Sequence, residues 1–436
     1  DAPEAIEYAV KMQRFEQSAL LDRMLGSGEL TPQHLDALAA SVAAFHSGIG
    51  RSVAGGAADA GYGTSASIEA PMLQNFEQIR PLLDNDEERA ALARLEEWSR
   101  AAHAELSPLM EERRRAGYVR ECHGDLHLGN ITWIDGEIQV FDCIEFNPAL
   151  RWIDVASEIA FTVMDLAARG KPAWGARFLN ATLEITGDYA VLRLFKYYLV
   201  YRAMVRAKVA RIRAAQIGAE LREAGLHRTV LADYAEHIKL ATSYTLPRQA
   251  ALIITRGVSG SGKTTATQPL VEQLGAVRLR SDVERKRLHG LPREARSHAA
   301  LNAELYAPSA SLATYAELRR LAALALAAGY PAIVDATFLR RAWRDDFRAL
   351  AAELRVPFLI LECRADAAEL RRRVAQRERQ GQDASEATLA VLERQLREDE
   401  ALVAEEAACA LIIETQHAAP DEIVDRVRRR LAAWPG

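Results

Sequence analysis

Two stretches of this 436-residue chain place charged and polar residues at spacings that suit catalysis or ligand binding. The first, HGDLHLGN at 123–130, fits the pattern H-x-D-x4-N, and VFDCIEFN follows it at 140–147. An aspartate in such a loop can accept a proton from a hydroxyl group, and Mg²⁺ prefers oxygen ligands such as carboxylates and amides. We therefore predict that Asp125 is a catalytic base and that Asn130 and Asp142 bind Mg²⁺.

The second stretch, GVSGSGKT at 257–264, satisfies G-x4-G-K-[ST] and follows the apolar run ALIITR. Glycines let backbone N–H groups surround phosphate oxygens, a lysine reaches the β- and γ-phosphates, and a threonine hydroxyl binds Mg²⁺. A helix that begins here adds its positive end. We predict an ATP site in which Lys263 is also catalytic and Thr264 is also a metal ligand. The predicted cofactor-binding residues are Gly257, Ser259, Gly260, Ser261, Gly262, Lys263, Thr264 and Thr265.

Residues further along the chain extend this second site towards a phosphate acceptor. The sequence LRSDVERKR places Asp282 and Arg285 three residues apart, on one face of a helix. We predict that Asp282 accepts the hydroxyl proton and that Arg285 binds a phosphate or acidic group of the substrate. The sequence VDAT places Asp335 at a strand end, where a parallel sheet presents its ligands, and we predict that Asp335 binds substrate.

A later helix-like run, ELRRRVAQRERQG, places Arg373 and Arg377 one helical turn apart. We predict that both are catalytic residues of a lid that closes over the transferring phosphoryl group. Structural alternatives exist for these residues. Each arginine could belong to a solvated helix face, Asp282 could be a helix N-cap, and Asp335 could be a polar residue at a sheet end.

Composition limits the classes of function. The net charge of −5 argues against an extended nucleic-acid-binding surface, and no run approaches the roughly 18 apolar residues that span a membrane. The four cysteines form no CxxC pair, which suits a reducing compartment, and no secretory leader pattern is visible. Cys122, His123 and His127 suggest zinc as an alternative, but no further cluster completes a tetrahedral set. We predict a soluble cytoplasmic protein.

The chain divides into two regions of different pattern. Helical patterns occupy 70–116 and 149–243, and short β-like runs with an Asp135-Gly136 turn lie between them. A proline interrupts TSYTLPRQA at 242–250, which predicts a domain boundary. Beyond it, strand-like runs alternate with helix-like runs, which predicts a parallel, doubly wound sheet.

The motifs GVSGSGKT, SDVER and VDATF, with the arginine-rich helix, resemble the P-loop kinases that include phage-type polynucleotide kinase and zeta toxins. The resemblance covers about 250–415. It implies an α/β P-loop kinase domain with a parallel sheet at 249–436. By position, Asp282 resembles the hydroxyl-activating aspartate of that group, Arg285 resembles its substrate-side arginine, and the later arginines resemble its lid.

The motifs HGDLHLGNI and VFDCIEFNPALRWIDVASEIAF resemble the aminoglycoside phosphotransferase and choline kinase-like branch of the protein-kinase-like fold. The resemblance implies an α+β domain at 1–245 with a mostly helical C-lobe, in which Asp154 supports the catalytic loop. Such kinases also need a glycine-rich loop and an ATP-binding lysine, but Lys11 is the only lysine before residue 170. We therefore expect an N-lobe that is largely missing. An absent upstream segment, a natural truncation and a degenerate pseudokinase all explain this, and the intact base and metal residues favour the first.

The pairing of these two halves resembles a group of bacterial two-domain phosphotransferase/P-loop kinase fusions. It implies an ATP- and Mg²⁺-dependent bifunctional kinase that transfers the γ-phosphate to a hydroxyl-bearing acceptor. That acceptor is a small molecule, a nucleotide or a nucleic-acid end, and no membrane partner is expected. One alternative is a single P-loop kinase regulated by a non-catalytic kinase-like module. Another is a 5′-hydroxyl polynucleotide kinase, which the net charge disfavours.

Overall fold

The computed structural model describes residues 14–52, 61–218, 225–293, 295, 305, 307–380 and 387–434. Lys11 lies outside these residues, as does most of its segment IEYAVKMQRF at 6–15. Within the described ranges, no helix has the length and apolar character needed to cross a lipid bilayer.

The N-terminal half is built mainly from helices. They are α1 (Leu21–Ser27), α2 (Pro32–Gly48), α3 (Ser65–Ile79), α4 (Asp86–Arg115), α5 (Val155–Ala168), α6 (Pro172–Thr186), α7 (Leu192–Gln216) and α8 (Leu226–Thr245). Every residue of α5 from Val155 to Leu166 is buried, including the charged Glu158 and Asp165. A helix that is buried on all sides is the centre of its domain, so α5 organises this half.

Four short strands lie between α4 and α5. They are β1 (Val119–Glu121), β2 (Ile131–Ile134), β3 (Glu137–Val140) and β4 (Trp152–Asp154). β1 pairs with β4 and β2 pairs with β3, both antiparallel. Asp135 and Gly136 have φ values of 53° and 82°, which confirms the predicted tight hairpin turn. The loop that contains Asp125 joins β1 to β2, and Asp142 lies two residues after the end of β3.

The C-terminal half contains a five-stranded, fully parallel sheet, which confirms the predicted fold class. Its strands are β5 (Leu252–Arg256), β6 (Val277–Arg280), β7 (Ala332–Asp335), β8 (Phe358–Arg364) and β9 (Ala410–Glu414), in the order β6-β7-β5-β8-β9. All residues of the central β5 are buried, because helices cover both faces of a parallel sheet. The edge strand β9 has one buried residue, Ile413, so its burial differs from that of the central strands.

Eight helices of the described residues accompany this sheet. They are α9 (Lys263–Leu274), α10 (Ser281–Leu288), α11 (Pro308–Ala327), α12 (Arg341–Glu353), α13 (Ala367–Gln380), α14 (Leu389–Glu398), α15 (Ala404–Ala408) and α16 (Pro420–Ala432). α9 and α10 begin directly where the chain leaves the glycine loop and β6. The residues predicted to do chemistry therefore lie at the carboxyl edge of the sheet, where open α/β sheets bind ligands.

The two halves pack along the edge strand β6. The unpaired backbone groups of an edge strand need partners, and α6 of the N-terminal half supplies one. Asn180 Oδ1 accepts a hydrogen bond from the backbone N–H of Arg278 at 2.7 Å. One apolar cluster runs through both halves and includes Leu199 of α7 and Leu279 of β6. A division of the chain at 242–250 stays a prediction.

Candidate functional site

The loop after β5 has a backbone conformation that favours glycine. Gly257 has a φ of 142°, and a Cβ atom there would lie 2.5 Å from the carbonyl oxygen of Cys363. Gly260 has a φ of 84°, and Gly262 has a φ of 85° at the N-cap of α9. The chain therefore turns tightly into the positive end of a helix, which is the arrangement that surrounds phosphate oxygens.

Lys263 is the first residue of α9, and its ammonium group bonds to this loop. Nζ donates to the carbonyl oxygens of Gly257 at 2.9 Å and Val258 at 3.0 Å. Burial lowers the pKa of Lys263, although the carboxylates of Asp335 and Asp282 act in the opposite direction. A phosphate group offers this ammonium a charged partner, which is stronger than two neutral carbonyls.

Thr264 and Asp335 meet at the same end of the sheet. Thr264 Oγ1 donates to Asp335 Oδ2 at 2.6 Å, and the Asp335 side chain is buried at the end of β7. A hydroxyl and a carboxylate in contact are hard oxygen ligands that fit Mg²⁺. The structure thus brings Asp335, predicted to bind substrate, against the threonine predicted to bind the metal.

Asp282 and Arg285 lie on α10, which begins directly after β6. Both line the same cleft as Lys263. The Arg285 guanidinium is buried, and its Nη1 donates to the carbonyl oxygen of Leu305 at 2.9 Å and to Ser311 Oγ at 3.4 Å. These contacts hold Arg285 in place beside Asp282, on the face of α10 that the three-residue spacing predicts.

These residues share one cleft of about 530 Å³. Six of the eight predicted loop residues line it, and Gly257 and Ser261 do not. The basic side chains among its described lining residues outnumber the acidic ones by six to three. The basic ones are Lys263, Arg280, Arg285, Arg340, Arg377 and Arg394, and the acidic ones are Asp282, Asp335 and Glu398. Such a charge distribution favours anionic ligands.

The structure separates the two predicted lid arginines. Arg377 lines the cleft, but Arg373 does not. Arg373 Nη1 donates to Thr415 Oγ1 at 2.9 Å and to the carbonyl oxygen of Gly260 at 3.3 Å, and its Nε donates to Glu369 at 2.7 Å. Arg373 therefore braces the glycine loop from outside the cleft, because α13 turns it towards the loop backbone.

The N-terminal site centres on the loop between β1 and β2. Asn130 Nδ2 donates to the carbonyl oxygen of Asp125 at 3.0 Å and to its Oδ2 at 3.2 Å. Burial opposes ionisation of Asp125, but His127 at 3.5 Å and more distant arginines outweigh it and lower the pKa of the carboxyl group. Asp125 is thus kept as a carboxylate, the form that accepts a proton.

Backbone hydrogen bonds place Asp142 next to this loop. The N–H of Phe141 donates to the carbonyl oxygen of Asn130 at 3.1 Å, and His123 Nε2 donates to the carbonyl oxygen of Phe141 at 2.7 Å. Asp142 is exposed and has a φ of 63°, which is unusual for a residue with a side chain. The structure therefore brings the predicted metal ligands Asn130 and Asp142 onto adjacent segments.

Buried residues that the sequence analysis missed form hydrogen bonds to the backbone of this loop. Glu158 Oε1 accepts the N–H of Gly124 at 2.8 Å, and Glu158 Oε2 lies 2.6 Å from His46 Nε2. Arg202 donates to the carbonyl oxygen of Gly124 at 3.0 Å. Asp154, which the resemblance assigns to loop support, instead pairs with Arg113 at 2.7 Å. A charged residue inside the apolar run VASEIAFTVM was the available sequence signal for Glu158.

For the zinc alternative, the structure offers a different set of side chains from the one that the sequence suggests. Among the described residues, the ligand atoms of His46, Cys122 and Glu158 lie within 4.8 Å of one another, and His123 and His127 do not join them. Burial, followed by the nearby carboxylates of Glu158 and Asp154, raises the pKa of the Cys122 thiol. A protonated thiol beside a hydrogen-bonded His–Glu pair suits packing better than metal binding, because zinc requires a thiolate.

Comparisons with known proteins find a separate similarity for each half of the chain. Residues 4–195 match the family described as "Phosphotransferase enzyme family", and residues 252–402 match the one described as "AAA domain". The two halves are thus similar to two different families of known proteins. Uncharacterized proteins of Mycobacterium tuberculosis and Mycobacterium bovis are 28% identical over 386 residues, which cover 88% of this chain and 75% of each relative.

Solved structures with detectable likeness include three kinases. A sugar kinase from a Janibacter species is 20% identical and covers 43% of this chain and 96% of its own, with a TM-score of 0.31. The APS kinase of Mycobacterium tuberculosis, in complex with AMPPNP and APS, is 20% identical. The match covers 43% of this chain and 100% of that kinase, with a TM-score of 0.29. An ethanolamine kinase of Plasmodium vivax is 11% identical. The match covers 49% of this chain and 60% of that kinase, with a TM-score of 0.31.

Proposed function

We propose that this chain is an ATP- and Mg²⁺-dependent bifunctional phosphotransferase that moves the γ-phosphate of ATP to hydroxyl groups. The observation that carries the proposal is the P-loop cleft. There, the ammonium of Lys263, the Thr264–Asp335 pair and the carboxylate of Asp282 all face one cationic space. This combination supplies a phosphate-binding cation, a metal-binding pair and a proton acceptor, which are the parts that phosphoryl transfer to a hydroxyl requires.

In this proposal each residue of the cleft has a separate task. Lys263 exchanges its two carbonyl partners for the β- and γ-phosphates, and Arg377 neutralises charge that develops on the transferring group. Asp282 accepts the proton of the acceptor hydroxyl, while Arg285 orients the acceptor. Thr264 and Asp335 hold Mg²⁺, which supplies charge neutralisation at the phosphates.

The N-terminal site supports a second transfer reaction. The carboxylate of Asp125 is the form that accepts a proton, and the hydrogen bond from the N–H of Phe141 to the carbonyl oxygen of Asn130 brings the segments of Asn130 and Asp142 together, which supports their assignment as ligands of one Mg²⁺ ion. The acceptors of the two sites are hydroxyl-bearing molecules. A small molecule, a nucleotide and a nucleic-acid end all fit this description.

A second candidate function is a single P-loop kinase whose N-terminal half does not catalyse. The observation that favours it is the junction, where side chains of the N-terminal half bond to β6 and α10 beside the cleft. Under this alternative, Asp125→Asn leaves every transfer product unchanged.

A labelled-phosphate assay tests the proposal. Wild type, Lys263→Ala, Asp125→Asn and the double variant are incubated with γ-labelled ATP and Mg²⁺. The acceptor panel contains sugars, aminoglycosides, nucleosides and a 5′-hydroxyl oligonucleotide. We expect Lys263→Ala to abolish one class of product and Asp125→Asn to abolish another. If Lys263→Ala retains every wild-type product at the wild-type rate, the P-loop assignment is wrong.

A further inference from the structure

The N-terminal half reaches the P-loop site through α6. Glu184, near the end of this helix, accepts hydrogen bonds from Arg278 Nε at 3.3 Å and Nη2 at 3.2 Å. Both side chains are almost fully buried, at 4% and 6% exposure. Because a buried charge is costly without its partner, Glu184 fixes the position of the Arg278 guanidinium on the edge strand β6.

Arg278 in turn hydrogen-bonds to Thr264, one residue of the proposed metal-binding pair. Its Nη1 donates to the carbonyl oxygen of Thr264 at 3.0 Å, and the hydroxyl of the same threonine donates to Asp335. Glu184 Oε2 also lies 3.8 Å from Nη1 of Arg280, which lines the cleft. One carboxylate of the N-terminal half therefore contacts two arginines, one beside Thr264 and one within the cleft.

A second contact fixes α10, the helix that carries Asp282 and Arg285. Tyr189 of the N-terminal half is fully buried, and its hydroxyl donates to Glu284 Oε1 at 2.9 Å. Glu284 also pairs with Arg287, whose Nη2 donates to the carbonyl oxygen of Glu184 at 2.5 Å. Successive residues of a helix lie about 100° apart around its axis, so anchoring Glu284 sets the direction of its neighbours.

We infer that Glu184 and Tyr189 are positioning residues of the P-loop site, contributed by the other half of the chain. The inference rests on the proposed function, because it concerns the same transfer reaction. Glu184 fixes the position of the Thr264 backbone and of the Arg280 side chain, while Tyr189 fixes the rotation of α10 about its axis. Neither residue is among those that line the cleft, so each acts through another side chain.

The matched control is another ion pair across the same junction. Arg177 of α6 bonds to Glu272 of α9 at 2.7 Å, and neither side chain lines the P-loop cleft. Arg177→Gln therefore removes a cross-junction ion pair without touching the proposed chain of contacts. A change seen in Glu184→Gln but not in Arg177→Gln belongs to positioning and not to general loosening of the junction.

The experiment uses the whole chain with Asp125→Asn as background, so that turnover reports the P-loop site alone. ADP formation from ATP and Mg²⁺ and the affinity for a fluorescent ATP analogue are measured for each variant. We expect Glu184→Gln to lower turnover about 10-fold and Tyr189→Phe about 3-fold, with nucleotide affinity within about 2-fold of wild type, because small misplacement costs rate more than binding. Arg177→Gln should leave both quantities unchanged.

Hydrogen exchange gives a readout that does not depend on turnover. With AMPPNP and Mg²⁺ bound, amides of 277–288 should exchange faster in Glu184→Gln and Tyr189→Phe than in wild type or Arg177→Gln. Unchanged exchange and turnover in both variants would overturn the inference, as would equal effects of Arg177→Gln. Tyr189→Phe removes one hydroxyl only and serves if Glu184→Gln fails to fold. Lys263→Ala in the same series separates the two ideas, because wild-type turnover in that variant defeats the proposed function instead.

Discussion

Lys263 of the P-loop and the Asp125 loop differ in how far along the chain their supporting groups lie. Lys263 bonds to carbonyl groups only five and six residues away. Gly124, in the Asp125 loop, is held by Glu158 and Arg202, which lie 34 and 78 residues away. The phosphate-binding lysine is therefore held by its own loop, whereas the Asp125 loop depends on the packing of distant helices.

The two sites also differ in the exposure of the carboxylates that we propose as metal ligands. Asp335 is buried at 5% exposure and already bonded to Thr264, whereas Asp142 is exposed in a left-handed backbone conformation. Preorganised polar groups lose less freedom when a ligand binds. From this difference we expect the P-loop cleft to rearrange less than the Asp125 site when ligands bind. The variants described below test this expectation.

The largest expected effect comes from removing the proton acceptor of the P-loop site. Asp282→Asn should lower transfer to the acceptor of that site by about 100- to 10,000-fold, because a positioned general base contributes this much. The rate of labelled product formation measures the loss, and the affinity for an ATP analogue serves as control. Asp125→Asn should leave the same product unaffected. A loss of less than about 3-fold would show that Asp282 is not the proton acceptor, and its place as the second residue of α10, after the N-cap Arg280, also makes it no helix cap.

The next effect concerns stability and the N-terminal site. Glu158→Gln should lower the free energy of unfolding by roughly 3 kcal/mol, because it breaks a buried pair with His46. Urea denaturation followed by circular dichroism measures the change. The exposed Glu97 offers a matched control, and Glu97→Gln should change stability by less than about 0.5 kcal/mol. Equal stability of the two variants would mean that the Asp125 loop needs no distant support.

A smaller effect should distinguish the two arginines of α13 that were predicted to form a lid. Arg377→Gln removes a side chain that lines the cleft and should lower turnover about 10-fold with little change in nucleotide affinity. Arg373→Gln removes bonds to the glycine loop and should instead weaken nucleotide binding about 3-fold. Steady-state kinetics and titration with an ATP analogue separate the two outcomes. The reverse pattern would assign the lid to Arg373.

The smallest effect is a dependence on pH. Burial opposes ionisation of Glu158, but the hydrogen bond to His46 outweighs it and lowers the pKa below the ordinary value of 4.5. The ionised group therefore stabilises the folded state above about pH 4.5, and this contribution is lost as the pH falls through the lowered pKa. The stability difference between wild type and Glu158→Gln should narrow on acidification. A difference that stays constant from pH 7 to pH 3 contradicts this account.

Sequence patterns were sufficient where structure is local. The glycine loop, the Asp135-Gly136 turn and the alternation of strands and helices were all predicted, because neighbouring residues determine them. Arg373 and Arg377 show the limit of such reasoning. Their one-turn spacing was visible, but only the packing of α13 against the loop decides that one faces the cleft and the other the loop backbone.

The groups that support the sites were not predictable from a single sequence. Glu158 meets His46 across 112 positions, and Glu184 meets Arg278 across 94. No period or spacing connects residues so far apart, so the partner of each residue is known only once the fold brings the two together. A phosphate-binding loop can therefore be recognised from its motif, but the tertiary contacts that complete the site cannot.

The hydrogen bond from Arg278 to Asn180 has a consequence for solubility. If the chain were cut in the 246–251 linker, β6 would lose the helix that covers its open side. An uncovered edge strand offers its N–H and C=O groups to any extended segment of another molecule. A fragment of residues 249–436 should therefore self-associate by strand pairing at concentrations where the whole chain stays dispersed, and α6 thus protects its neighbour from aggregation.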